Sequence, residues 1–133
     1  MTATEQIVER YLESFNVTDP ARRRAMLVEL YGETGGYIDP NQDLTGAAEI
    51  DQFLAATQEQ FPGYVFSLAS RVDAHHSQAR FHWQATAPGD SEPQYIGFDV
   101  IVVEDGQIAQ VHGFIDKAPT GDNSLTLTRA SAE

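Results

Sequence analysis

Cysteine is absent from all 133 residues of the chain. That excludes a disulfide framework, a thiol nucleophile and thiolate metal sites. Positive charge is scarce: 8 Lys and Arg stand against 20 Asp and Glu, for a formal net charge of −12. Such a surface repels phosphate backbones and anionic lipid, so neither nucleic acid nor a membrane is expected as a partner. The one basic run, Arg22-Arg23-Arg24, reads as a solvated helix face. No apolar stretch approaches the roughly 20 residues that cross a bilayer. The N-terminal MTATEQIVERYLESF carries acidic residues and lacks the apolar centre of a signal peptide. Together these gaps lead us to expect a cytoplasmic protein.

Several catalytic signatures are also missing. His75-His76 sits in a turn where adjacent side chains are expected to diverge, and His82 and His112 stand alone on separate strands. No HExxH or related spacing occurs, so no metal site is expected. No Gly-rich loop follows a strand to cradle a nucleotide, and no Ser lies in a nucleophile elbow. No cofactor is expected.

What is present suits one globular domain: 41% of residues are hydrophobic and 21% charged. Three helices come first. Residues 4–15 carry an apolar stripe of Ile7, Val8, Tyr11, Leu12 and Phe15, and Thr2 with Glu5 has the spacing of a capping box. Thr18-Asp19-Pro20 supplies an N-cap and a first-turn proline for a second helix, with Met26, Leu27, Leu30 and Tyr31 as its apolar side. A short strand at 37–39 and a polar turn lead to a third helix over 46–60, bearing Ile50, Phe53, Leu54 and Thr57. The period then changes. YVFSLASRV, QARFHWQATA, QYIGFDVIVVE and QIAQVHGFID read as four antiparallel strands, and Glu104-Asp105-Gly106 marks a tight hairpin. Helices followed by strands indicate α+β.

Two carboxylates attract chemical interest. Asp39 ends an apolar strand and is held extended by Pro40. It points away from Ile38, either into a pocket or into the turn, where it would bond backbone amides near Asn41. In a pocket, partial desolvation would raise its pKa and make it a usable base. Asp99 lies inside YIGFDVIVV, on one face with Gly97, Ile101 and Val103. A carboxylate there must be paired, hydrogen-bonded or neutral. Tyr11 is its expected partner, in a bond that either fixes helix to sheet or serves a site. Phe81, Trp83, Phe53, Val111 and Ile115 are the candidate apolar lining, with plain core packing the commoner role for a ring such as Phe81 or Trp83, and Gly113 thins the wall for a ligand or for close packing. Strand 95–103 is apolar on both faces. Its outer face, with Phe98, Val100, Val102, His112 and Phe114, calls for a cover, and an identical subunit is the simplest one.

Three stretches carry a family resemblance: ERYLESFNVTD, YIDPNQDLTGAAEI and GFDVIVVEDGQI. With the order helix, helix, short strand, helix and curved meander, they resemble the NTF2-like superfamily, and within it the SnoaL-like proteins and ketosteroid isomerases. The resemblance spans about residues 3–116 and implies a cone-shaped α+β barrel. The domain is drawn at 1–116, with residues 117–133 as a tail that adds at most an edge strand. The isomerase roles would fall on Asp39 as general base, Tyr11 as oxyanion donor and Asp99 as a second donor in its neutral form. The implied activity is isomerisation or cyclisation, begun by proton abstraction α to a carbonyl on an apolar substrate. The alternative is a non-catalytic ligand-binding or dimeric interaction module of the same fold.

Overall fold

The computed structural model describes residues 1–119. The chain runs α1 (Ala3–Ser14), α2 (Pro20–Tyr31), β1 (Gly36–Asp39), β2 (Gln42–Thr45), α3 (Ala47–Gln60), β3 (Val65–Leu68), β4 (Asp73–His75), β5 (Gln78–Thr86), β6 (Tyr95–Glu104) and β7 (Gln107–Lys117). The helix starts follow from local chemistry. The Thr2 hydroxyl accepts from the Glu5 amide at 3.1 Å while Glu5 accepts from the Thr2 amide at 2.8 Å, completing the capping box. Asp19 accepts from the Arg22 amide at 2.9 Å, and Pro20 occupies the first turn, where no amide is needed.

The sheet has the order β2-β1-β7-β6-β5-β3, with β4 paired to β5. It is curved and does not close, so the expected barrel is an open one. The three helices pack on one side. The long strands alternate as their sequences suggested: Tyr95, Gly97, Asp99, Ile101 and Val103 of β6 are buried, with the residues between them half-buried.

Three features depart from the sequence reading. The polar turn after β1 is itself a strand, since Asp39 pairs with Gln42 and Tyr37 with Leu44 across a Pro40-Asn41 turn. Its one apolar residue, Leu44, gave no alternation to detect. Residues 73–75, between the strands expected at 64–72 and 78–87, form β4 against β5. And β1 joins β7 in parallel, Tyr37 opposite Val111, because the connection between them crosses the whole domain.

The basic run is also not uniformly solvated. Arg22 and Arg24 are exposed, but Arg23 is buried. Its guanidinium pairs with Asp51 at 2.7 Å and donates to Gln58 at 2.8 Å. Gln58 in turn donates to the carbonyls of Phe15 and Val17. This clasp ties α2 to α3 and to the α1–α2 turn. The expected tail, residues 117–133, lies mostly outside the described residues.

Candidate active site

Tyr11 projects from the inner stripe of α1 and donates its hydroxyl to Asp99 Oδ2 at 2.6 Å. Trp83 lies on β5 opposite Gly97 of β6. A Cβ at Gly97 would run into the indole, so the glycine lets the ring lie across β6 and reach two residues along. There its Nε1 donates to Asp99 Oδ1 at 3.0 Å. Both oxygens of this almost fully buried carboxylate are therefore engaged.

Asp39, at the end of β1, is half-buried. Its Oδ2 accepts from the Tyr37 hydroxyl at 2.7 Å and its Oδ1 from the Asn41 amide at 2.8 Å. The two sequence alternatives for Asp39 thus coexist: the carboxylate caps the turn and Asp39 also lines the cavity that holds Tyr11, Trp83 and Asp99. Gly113 separates the two acids. A Cβ there would come within 3.1 Å of Asp99 Oδ1 and 3.3 Å of Asp39 Cβ, so only glycine leaves both carboxyls in place without a shift.

Burial acts on both acids, to different degrees. It pushes Asp99 from 3.8 to about 7, against the hydrogen bonds from Tyr11 and Trp83, with the Asp39 charge adding to the rise. Burial also raises Asp39, opposed by the donors Tyr37, Asn41 and Gln42. The phenols of Tyr11 and Tyr37 are driven well above their ordinary value, first by burial and then by the neighbouring carboxylates, so both remain donors.

Aromatic rings connect the two Tyr–Asp pairs. Tyr37 packs on Phe53 (5.0 Å between centroids), Phe53 on Phe15 (6.3 Å), Phe15 on Phe66 (5.1 Å) and Phe66 on Trp83 (6.0 Å). The belt begins at the ring bound to Asp39 and ends at the ring bound to Asp99. It surrounds a cavity with about 420 Å³ of empty space, its mouth included. The enclosed part is narrow: about 40 Å³ is open to the centre of a water molecule, a few times the ~10–15 Å³ that one ordered water requires.

Of the residues singled out in the sequence, Tyr11, Asp39, Asp99, Phe53, Trp83 and Ile115 meet at this cavity. Phe81 and Val111 do not. They belong to the packed core, where Phe81 meets Tyr11 edge-on at 6.0 Å and Val111 is fully buried. Tyr37, Phe15 and Phe66 are lining residues that the sequence reading missed. Phe15 stands one helical turn after Tyr11, and Tyr37 two strand positions before Asp39, so both were accessible from period alone. His75 and His76 converge rather than diverge, with their Nδ1 atoms 3.1 Å apart. Among the described residues, no three His, Asp or Glu side chains gather as a metal ion would require.

The model of the SnoaL-like domain matches residues 8–111. The chain belongs to the SnoaL-like family. A SnoaL-like family protein from Agrobacterium tumefaciens, provisionally designated an isomerase, is 34% identical, with 87% of this chain and 99% of that one covered and a TM-score of 0.81. Two more distant structures share the fold. One, from Kribbella flavida, is provisionally designated a ketosteroid isomerase (21% identity, 87% and 79% covered, TM-score 0.66). The other, from Sinorhizobium meliloti, is provisionally designated a polyketide cyclase (15% identity, 85% and 99% covered, TM-score 0.65). No curated protein sequence matches the chain. None of the helices in the described part is long and apolar enough to cross a membrane.

Proposed function

We propose that this SnoaL-like protein abstracts a proton α to a carbonyl on a compact, apolar substrate, as an isomerase or a cyclase. The observation that carries the reading is the pair of Tyr–Asp hydrogen bonds facing one aromatic-walled cavity, with the two acids pushed upward unequally. Titratable groups whose environments separate their pKa values divide into acid and base roles. Asp39, the more solvated and more hydrogen-bonded acid, is the base. Asp99, neutral below about 7, belongs to the donor side.

Asp99 works through Tyr11. With Asp99 ionised, Tyr11 and Trp83 both donate to it, and neither faces the ligand. With Asp99 protonated, its O–H donates to the Tyr11 oxygen, and the Tyr11 hydroxyl turns to the cavity, where enolate charge develops. A donor aimed at developing charge in a water-poor site is a large catalytic term. The cavity has room for a few waters as it stands, so the belt must part to admit even a single ring. The isomerase designation of the 34% identical SnoaL-like protein lends support.

The outer sheet face completes the proposal. Phe98, Val100 and Val102 are half-buried, while His112 and Phe114 are exposed, Phe114 to 56%. A second copy of the chain covering this face makes the active species a two-fold dimer. A crystal grown with a neutral phenol, an enolate mimic, tests the site. The ring is expected inside the belt with its oxygen beside Tyr11. A phenol on the outer face, with the cavity still closed, would overturn the assignment and favour the non-catalytic module.

A further inference from the structure

Tyr37 stands two residues before Asp39 on β1, so both side chains leave the same face of the sheet. The donors on Asp39 differ in kind. The amides of Asn41 and Gln42 belong to the hairpin turn and can only donate. The Tyr37 hydroxyl rotates and can donate or accept. Its ring is fixed: it is 6% exposed, packs on Phe53 at 5.0 Å, and rides on a strand paired on both sides. The oxygen therefore stays beside Asp39 Oδ2, at 2.7 Å, whichever way its hydrogen points.

Resting on the reading of Asp39 as the base, we propose that Tyr37 is its positioning residue. The hydroxyl donates to Oδ2 while the carboxylate is charged, and still does so when Oδ1, which keeps a second lone pair beside the Asn41 amide, holds the substrate proton. The hydrogen bond survives in both states, so the carboxyl plane keeps its aim through proton uptake and return. Tyr37 neither gains nor loses a proton: burial and the adjacent Asp39 charge keep its phenol protonated. A donor on Oδ2 also weakens the hold of Asp39 on the proton, which favours delivery to a second carbon. The titratable groups around Asp39 are few. Tyr37 shares its strand, Asp99 faces it from β6 across Gly113, and Tyr11 of α1 lies behind Asp99. His112 of β7 pairs with Ile38 and borders, together with Asp39, a second groove on the outer side of the sheet.

The test is a pH titration of the aspartate carboxyl carbons by ¹³C NMR on the full chain, with Asp39→Asn identifying the Asp39 signal. Tyr37→Phe keeps the ring and removes the donor, so the Asp39 midpoint should move to higher pH. Replacing Tyr37 by 3-fluorotyrosine, a stronger donor of nearly the same shape, should move it lower and serves also if the Phe variant fails to fold. A ring that merely packs would move neither. An unmoved midpoint in the folded variants overturns the clamp, even in a protein that exchanges ketone α-protons. Moved midpoints in a protein that exchanges none uphold the clamp and count against Asp39 as the base.

Discussion

Asp39 and Asp99 are the same residue type on either side of one glycine, yet their surroundings treat them differently. Asp39 keeps backbone amides and some solvent, whereas Asp99 is held, among the described residues, by Tyr11 and Trp83. Because the folded pKa of Asp99 lies above its unfolded value, its contribution to stability is fully present at low pH. That contribution is lost as pH rises from about 3.8 through about 7. The stability of the wild type relative to Asp99→Asn should therefore fall across that window in denaturant titrations and level off above it. A constant difference from pH 4 to 8 would mean that Asp99 is not held neutral. The Tyr11 bond is testable separately. Asp99→Ala and Asp99→Leu should each cost about 1–3 kcal/mol if the acid anchors Tyr11, and a double-mutant cycle with Tyr11→Phe should show coupling. The need for this bond was legible in the sequence, because an acid inside YIGFDVIVV demands a partner. Trp83 as the second partner was not, since its reach depends on the missing Cβ of Gly97, a contact between strands.

Element boundaries were legible wherever local chemistry dictates them. The Thr2 box, the Asp19-Pro20 start and the alternation of β6 need no tertiary information. β2 carries one apolar residue and exists because β1 offers it an edge. Arg23 shows the converse limit. A triple-arginine run reads as surface, and nothing local says that the middle guanidinium meets Asp51, 28 positions on. The clasp has a measurable consequence. Arg23→Ala leaves Asp51 and the Gln58 carbonyl without their partner in a nearly buried place, and such breaks typically cost about 3–5 kcal/mol. Arg23→Met with Asp51→Leu removes both charges and should cost clearly less. Equal losses in the single and double variants, read from urea unfolding, would contradict the ion-pair account.

At the scale of the whole molecule, the open sheet has two faces of different character. The inner face and the helices build the belt and its two acids. The outer face leaves Phe114 largely exposed beside Phe98, its cross-strand neighbour. Light scattering at micromolar concentration should give twice the 14.6 kDa chain mass, and Phe114→Asp should shift it to the monomer. A wild-type monomer would remove the dimer from the account. The central claim concerns the cavity and is tested most directly by α-deuterium exchange into a small cyclic ketone in D₂O, followed by NMR. The single tryptophan, Trp83, borders the cavity, so its fluorescence reports whether ligand still binds. Asp39→Asn should retain the fluorescence change and lose exchange by roughly 10²–10⁴-fold, the usual worth of a general base. Exchange at equal rates in the wild type and Asp39→Asn, with ligand bound in both, would contradict it.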